Sequence, residues 1–165
     1  MISLEIAILL AQTVAVFFLA AWLTTGAWEN VTRPSLNGVF TAEVLAMTRM
    51  ERDYPEMFEM VAHRRITNPA TQKFLFRLIV AWEVAATVAL WVGTIAMTAA
   101  LFGLAETEVA LAYAVIGALM FTATWAGFLV AGNWFCYWFS HEGAQVTHFH
   151  MNLWGLATLI LLIAG

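Results

Sequence analysis

Four long apolar segments alternate with shorter polar ones along the 165-residue chain. They cover residues 6–26, 78–102, 109–132 and 149–164, and a polar connection, 27–77, separates the first two. The hydrocarbon core of a bilayer requires about 20 apolar residues per helix, so these segments have the length of membrane spans. The pattern predicts an all-α membrane protein, with four transmembrane helices in a single integral membrane domain, 1–165.

The polar connection contains signals for short interfacial helices between the first and second spans. Asn37 can cap a helix over 38–52, and a further short helix is predicted over 55–65. Asn68 is a suitable N-cap, and Pro69 suits the first helical position, where its missing N–H is not needed. The second span is therefore predicted to extend back to Pro69 and to protrude from the membrane.

The composition agrees with a membrane protein and excludes several other classes. Hydrophobic residues make up 62% of the chain, charged residues only 11%, and mean hydropathy is +0.81. A soluble domain has about 25% charged residues. A single cysteine, Cys136, excludes a disulfide scaffold, and a net charge of −4 argues against a nucleic-acid binder. The first partner to expect is the lipid bilayer.

The basic residues predict an orientation. Positively charged connections remain in the cytoplasm, which places the connection 27–77 there and both termini in the periplasm. All seven basic residues lie in this connection: Arg33, Arg49, Arg52, Arg64, Arg65, Lys73 and Arg77.

Glu83 is the one charged residue within the four apolar segments. On a helix it lies about 9 Å deeper along the axis than Arg77. A carboxyl group at such a depth faces protein or water rather than lipid. It is interpreted here as a hydrogen-bonding anchor for a neighbouring helix; the alternatives are a proton relay and an ion site.

The histidines before the last span are candidate metal ligands with weak support. His141, His148 and His150, together with Glu142, could bind a metal only if this segment were a loop. On a helix, His148 and His150 point about 200° apart. We therefore expect no metal site, and a polar interfacial connector instead.

The aromatic run Trp134-Phe135-Cys136-Tyr137-Trp138-Phe139 has the composition of an interfacial belt. The alternative is a contact surface for a bound lipid, quinone or pigment, although no cofactor is predicted. Cys136 has no adjacent base that would make it a nucleophile.

Small residues in the second and third spans favour close packing of these two helices as a tight antiparallel pair. They are Ala85, Ala86, Ala89, Gly93 and Ala96 in the second span, and Ala110, Ala114 and Gly117 in the third.

Two motifs resemble those of a family of bacterial predicted small integral membrane proteins, domain of unknown function 2165. The first is Glu29-Asn30-Val31-Thr32-Arg33-Pro34-Ser35-Leu36-Asn37 followed by Val44-Leu45-Ala46-Met47; the second is Asn133-Trp134-Phe135 through Trp138-Phe139-Ser140, then Gln145 and Phe149. Glu83 resembles a recurrent carboxylate of the family's second helix. The resemblance implies four helices in an inner membrane and no established reaction. It also implies a polar cluster at the cytoplasmic surface, made of Asn30, Asn37, Glu83, Trp134 and Gln145.

The chain departs from the family pattern at several charged positions. Arg33 and Asn133 stand where the family usually has an acid, and a histidine is usual near Glu43. An acid is usual near Thr48 and a basic residue near His150. A function that depends on these charges would be altered in this member.

These observations favour a non-catalytic role, because the chain has no catalytic or nucleotide-binding motif. We expect an accessory or assembly subunit of a larger inner-membrane complex, and an energy-transducing complex is the preferred interpretation. Its partners would be the other membrane subunits. The alternative is a small homo-oligomeric ion or lipid transporter, or a quinone-interacting enzyme, that uses Glu83 and the 141–150 connection.

Overall fold

The computed structural model describes residues 3–164, and its regular elements are all helices. In chain order they are α1 (Leu4–Thr32), α2 (Pro34–Ala46), α3 (Thr48–Asp53), α4 (Pro55–Val61), a first 3₁₀ turn (Ala62–Arg64), α5 (Pro69–Leu101), α6 (Thr107–Trp134), a second 3₁₀ turn (Tyr137–Phe139) and α7 (Glu142–Ala164). Within this described part, α1, α5, α6 and α7 are long and apolar enough to cross a membrane. The predicted fold class is confirmed.

The four long helices form an up-and-down bundle whose two ends differ. Gln12 of α1 donates a hydrogen bond from Nε2 to the carbonyl of Leu161 in α7, at 3.0 Å. The start of α1 and the end of α7 therefore share one end of the bundle. The connections 33–68 and 135–141 lie at the other, which we call the basic end because the Lys and Arg residues all lie at 33–77.

Close backbone approach joins α5 to α6. A Cβ atom added to Gly93 would lie 2.7 Å from the Cα of Ala114, and one added to Gly117 would lie 2.9 Å from the Cα of Leu90. Only glycine fits at such separations, so the predicted antiparallel pair is confirmed and depends on these two positions. Phe121 and Leu19 are fully buried and fill the space between this pair and the other two helices.

The connection between α1 and α5 differs from the prediction at its start. Pro34 occupies the first turn of α2, so the helix begins before Asn37 and the predicted cap at Asn37 is wrong. Met47 then adopts a left-handed conformation (φ 55°), which separates α2 from α3 where one helix over 38–52 was expected.

Later parts of the connection follow the prediction. Pro55 begins α4, and Asn68 caps α5 because its Oδ1 accepts hydrogen bonds from the N–H groups of Ala70 and Thr71.

The last helix begins at Glu142, well ahead of the apolar segment 149–164, and therefore includes His148 and His150.

The packing of α5 on α6 leads to a prediction for a matched pair of glycine substitutions. Gly93→Ala should destabilise the folded bundle by about 1–3 kcal/mol, because the added methyl overlaps the backbone of α6. Gly127→Ala is the control, since a Cβ there meets nothing within 4 Å. Unfolding in SDS, followed by circular dichroism, measures both; equal stability of the two variants would contradict the close approach.

Candidate functional site

A pocket of about 500 Å³ lies inside the basic end of the bundle. This volume is within the range of small-molecule sites in proteins, about 300–1,000 Å³. Most of its lining is apolar or aromatic: Gly26, Phe40, Val44, Leu45, Phe76, Ile79, Phe128, Ala131, Gly132, Phe135 and Ala144. The polar lining residues are Asn30, Asn37, Thr41, Glu83, Trp125, Tyr137, His141 and His148.

On one side, three polar side chains from α1, α2 and α5 form a hydrogen-bonded chain, which we call the amide–carboxyl wall. Asn30 donates from Nδ2 to Oε2 of Glu83 at 2.7 Å, and Asn37 donates from Nδ2 to Oδ1 of Asn30 at 2.7 Å. Oε1 of Glu83 and Oδ1 of Asn37 accept no hydrogen bond from the described residues. The wall can therefore accept hydrogen bonds from a further group.

A second part of the lining, which we call the aromatic wall, surrounds the imidazole of His148 with three rings. The ring centroid of His148 lies 4.9 Å from that of Phe128, 5.6 Å from that of Trp125 and 5.9 Å from that of Tyr137, on which it is stacked. These four side chains come from α6, α7 and the second 3₁₀ turn.

Three buried polar atoms of the aromatic wall have no hydrogen-bond partner within the described part of the chain. They are Nε1 of Trp125, the hydroxyl oxygen of Tyr137 and Nδ1 of His148. Tyr137 is only 4% exposed. A buried polar group without a partner is costly, about 1–3 kcal/mol, and such groups rarely cluster in a folded protein. Three further buried polar atoms without a partner in this part of the chain, on Arg64, Ser140 and Asn152, lie outside the lining. The three that share one pocket wall are placed as in a site for a hydrogen-bonding ligand.

Two local features place Tyr137 in the pocket. Cys136 adopts a left-handed conformation (φ 51°), which turns the chain sharply just before Tyr137. The absence of a side chain at Gly132 makes room for the ring, because a Cβ there would lie 2.5 Å from Cε1 of Tyr137. Burial then raises the pKa of the Tyr137 hydroxyl, which therefore remains protonated at neutral pH.

A second hydrophobic core holds this turn against the connecting helices. Its buried members are Met47, Met50, Phe58 and Cys136. Arg64 adds a polar contact to the same corner: its guanidinium lies 4.8 Å from the ring centroid of Trp134 and donates to the carbonyl of Trp134 at 3.3 Å.

The rim of the pocket carries charge, in contrast to its walls. Arg49 pairs with Glu43 at 2.8 Å, and both influence the nearby His141. Burial and the positive charge of Arg49 lower the pKa of His141, while Glu43 partly opposes them. His141 is therefore neutral at pH 7.

The structure brings Asn30, Asn37 and Glu83 together, and it places the other two residues of the expected polar cluster elsewhere. Trp134 is 55% exposed beneath Arg64, at the outer surface. Gln145 lies on α7, outside the pocket lining, and makes no side-chain hydrogen bond within 3–164. The three that meet lie on α1, α2 and α5 and are joined by hydrogen bonds, whereas Trp134 lies on an exposed face at the end of α6.

The histidines do not converge. His141 and His148 line the pocket, whereas His150 and Glu142 are exposed on α7. Among residues 3–164, no group of three or more His, Cys, Asp or Glu side chains could hold a metal ion. His148 and His150 diverge because they lie two positions apart on a helix.

The aromatic-belt interpretation is wrong for Tyr137. Trp134 and Trp138 are 55% and 44% exposed and suit an interface, but Tyr137 faces the pocket. Trp125 and Phe128 were not predicted as site residues either. The signal that could have found them is their helical spacing with Gly132 on one face of α6.

Comparison with known proteins identifies the family but no characterised relative. The family model described as "Predicted small integral membrane protein (DUF2165)" matches residues 8–164. No curated protein and no solved structure gives a significant match. Because the match extends over nearly the whole chain, the protein belongs to the DUF2165 family of predicted small integral membrane proteins.

Proposed function

We propose that this membrane protein binds a small amphipathic molecule, of quinone or lipid type, in the pocket at its basic end. The carrying observation is the group of three buried, unpartnered polar atoms in the aromatic wall, on Trp125, Tyr137 and His148. A ligand oxygen that accepts from the Trp125 indole and the Tyr137 hydroxyl would satisfy both. The apolar body of the ligand would occupy the remaining lining.

The chemistry of the lining supports a ligand with a polar head and an apolar body. Aromatic and aliphatic residues dominate, with few polar groups at defined places, as is typical of cofactor and small-molecule sites. Trp125 lies about 14 Å along the axis from the end of α6 at Trp134. The pocket therefore reaches into the apolar part of the bundle, where a membrane-soluble molecule partitions.

We propose a binding role rather than catalysis. Thr41 carries the one aliphatic hydroxyl of the described lining, and it donates to the backbone carbonyl of Asn37 at 3.1 Å. A nucleophilic hydroxyl would instead donate to a general base. His148 is enclosed by aromatic rings and accepts no such proton from a neighbouring side chain.

The membrane and orientation form part of the proposal. We place the protein in a bacterial inner membrane with its basic end in the cytoplasm. The described residues of the opposite end carry Glu106 and Glu108 but no Lys or Arg, in keeping with the positive-inside bias. The pocket would then be reached from the cytoplasmic leaflet.

A second candidate function is that of an accessory subunit of a larger, energy-transducing membrane complex. The favouring observation is the low burial of α7. Only 17% of its apolar window is buried within the chain, compared with 33% for each of the other three spans. A helix of another subunit could cover this face, and a quinone-type ligand would suit such a complex.

Ligand binding can be tested with decylubiquinone, a neutral probe with carbonyl acceptors and an alkyl tail. Quenching of tryptophan fluorescence in detergent-solubilised protein should give saturable binding. Tyr137→Phe should weaken binding about 2- to 10-fold, since one hydrogen bond is worth about 0.5–1.5 kcal/mol. Tyr113→Phe removes the same hydroxyl from an exposed site at the other end of α6 and should leave affinity unchanged. Absence of saturable binding of this probe would refute a ligand of quinone type.

The orientation can be tested by proteolysis. Trypsin added outside intact spheroplasts should not cut after Arg52, whose side chain is 71% exposed. In inverted vesicles it should cut there, because the connection then faces the medium. Cleavage at Arg52 in intact spheroplasts would reverse the assigned orientation.

The accessory-subunit candidate can be tested with a photocrosslinking amino acid at two matched positions. Ile160 on α7 and Ile95 on α5 are 66% and 65% exposed and lie towards the same end of the bundle. A partner on α7 should crosslink from position 160 and not from 95, and native mass spectrometry should then show the same polypeptide in stoichiometric amount. Crosslinks only between copies of this chain, or equal crosslinks from both positions, would exclude it.

A further inference from the structure

We propose that the preferred ligand of this pocket is a cationic amphiphile that carries an acceptor oxygen for Trp125 and Tyr137, and whose positive centre binds beside the carboxylate of Glu83. The inference rests on the proposed ligand-binding function and deepens it by assigning the charge of the ligand. The observations that carry it are the isolation of one buried carboxyl group, the aromatic lining around it, and the position of the basic residues outside the lining.

Glu83 is buried without a cationic partner. It is 6% exposed, and its one side-chain hydrogen bond within the described chain is the one from Asn30. No Lys or Arg belongs to the described lining of the pocket. A carboxylate enclosed by apolar groups is costly unless a positive charge and hydrogen bonds accompany it, and a carboxyl group without them keeps its proton. Binding of a cation beside Glu83 would therefore release that proton. A ligand cation would supply the charge that the chain itself does not place there.

No arginine of the basic end lies against Glu83. Arg77, six residues before it on α5, is exposed and outside the pocket lining. Arg49 at the rim forms its ion pair with Glu43, and Arg64 stacks on Trp134 at the outer corner. Neither contributes to the pocket wall, so the carboxyl group of Glu83 is the one acidic or strongly basic group of the described lining. Anionic head groups would meet this carboxyl group without a compensating cation.

The rings of the lining favour an organic cation over a metal ion. Phe40, Phe76, Trp125, Phe128 and Tyr137 present aromatic surface to the pocket, and the negative faces of such rings attract positive charge. Hard metal cations prefer six or more oxygen ligands. The amide–carboxyl wall offers few oxygens, whereas the apolar lining suits the substituents of an ammonium or phosphonium ion.

A matched pair of probes tests the charge assignment without any mutation. Tetraphenylphosphonium and tetraphenylborate have nearly the same size and shape and opposite charge. Equilibrium dialysis of the detergent-solubilised protein should show saturable binding of the phosphonium at least about 10-fold tighter than that of the borate. Equal affinities, or tighter binding of the borate, would overturn the inference.

The variant Glu83→Gln then assigns the effect to this side chain. The amide retains the volume and can still accept from Asn30, so the helices should remain packed while the charge is removed. Phosphonium affinity should fall at least about 10-fold. The control Glu108→Gln removes the same charge from an exposed position at the other end and should have no effect. Unchanged phosphonium affinity in folded Glu83→Gln would overturn the inference.

Decylubiquinone binding by the wild-type protein separates the two proposals. If the neutral probe binds and the phosphonium does not, the charge assignment fails and the ligand-binding function stands. If the phosphonium binds and decylubiquinone does not, the charge assignment and the ligand-binding function stand, and a ligand of quinone type is excluded. If neither probe binds saturably, both proposals fail.

Discussion

Within a bilayer, a polar group must find its partner inside the protein, because lipid provides none. Most of this bundle meets that requirement locally. Thr94 donates to the carbonyl of Leu90, one turn earlier in its own helix. The indole of Trp91 donates to Thr24 across the interface of α1 and α5. These pairings leave the half of the bundle farther from the basic end apolar and closely packed.

The same requirement makes the basic end different. There the chain places several polar side chains between helices that do not pack closely enough to pair them all. In the amide–carboxyl wall, the hydrogen bond from Asn30 to Glu83 pairs some of the polar atoms. In the aromatic wall, the polar atoms of Trp125 and Tyr137 have no partner among the described residues. A ligand with its own polar head completes what the side chains leave incomplete, and this is the physical basis of the proposed function.

The spans and the helix pair were predictable because they depend on short-range properties of the sequence. Hydropathy over about 20 residues defines a membrane helix, and Gly93 and Gly117 in neighbouring spans indicate close approach. The depth of Glu83 followed from the same reasoning. Its partner did not: Asn30 and Asn37 were expected beside it only through the family resemblance, since hydropathy carries no information on which helices meet.

The place of Tyr137 in the aromatic wall could not be predicted because it depends on backbone geometry that composition does not encode. A run of aromatic residues after a span is typical of an interface, and Tyr137 differs only because Cys136 adopts a left-handed conformation and Gly132 leaves space. Likewise, Met47 ends α2 in a left-handed conformation, although its sequence neighbours favour a continuous helix. A left-handed conformation costs a non-glycine residue about 1–2 kcal/mol. It occurs where favourable tertiary packing offsets this cost.

The two non-glycine residues of 3–164 with a left-handed conformation belong to the second hydrophobic core. Met47 and Cys136 are 2% and 7% exposed and pack with Met50 and Phe58. Fully burying a methionine side chain contributes about 1.5–3 kcal/mol, enough to offset the conformational cost at Met47. Met47 directly follows α2, which carries Asn37, and Cys136 directly precedes Tyr137. The core therefore joins the end of the helix that carries Asn37 to the turn that carries Tyr137, so packing outside the pocket connects the segments that form its two walls.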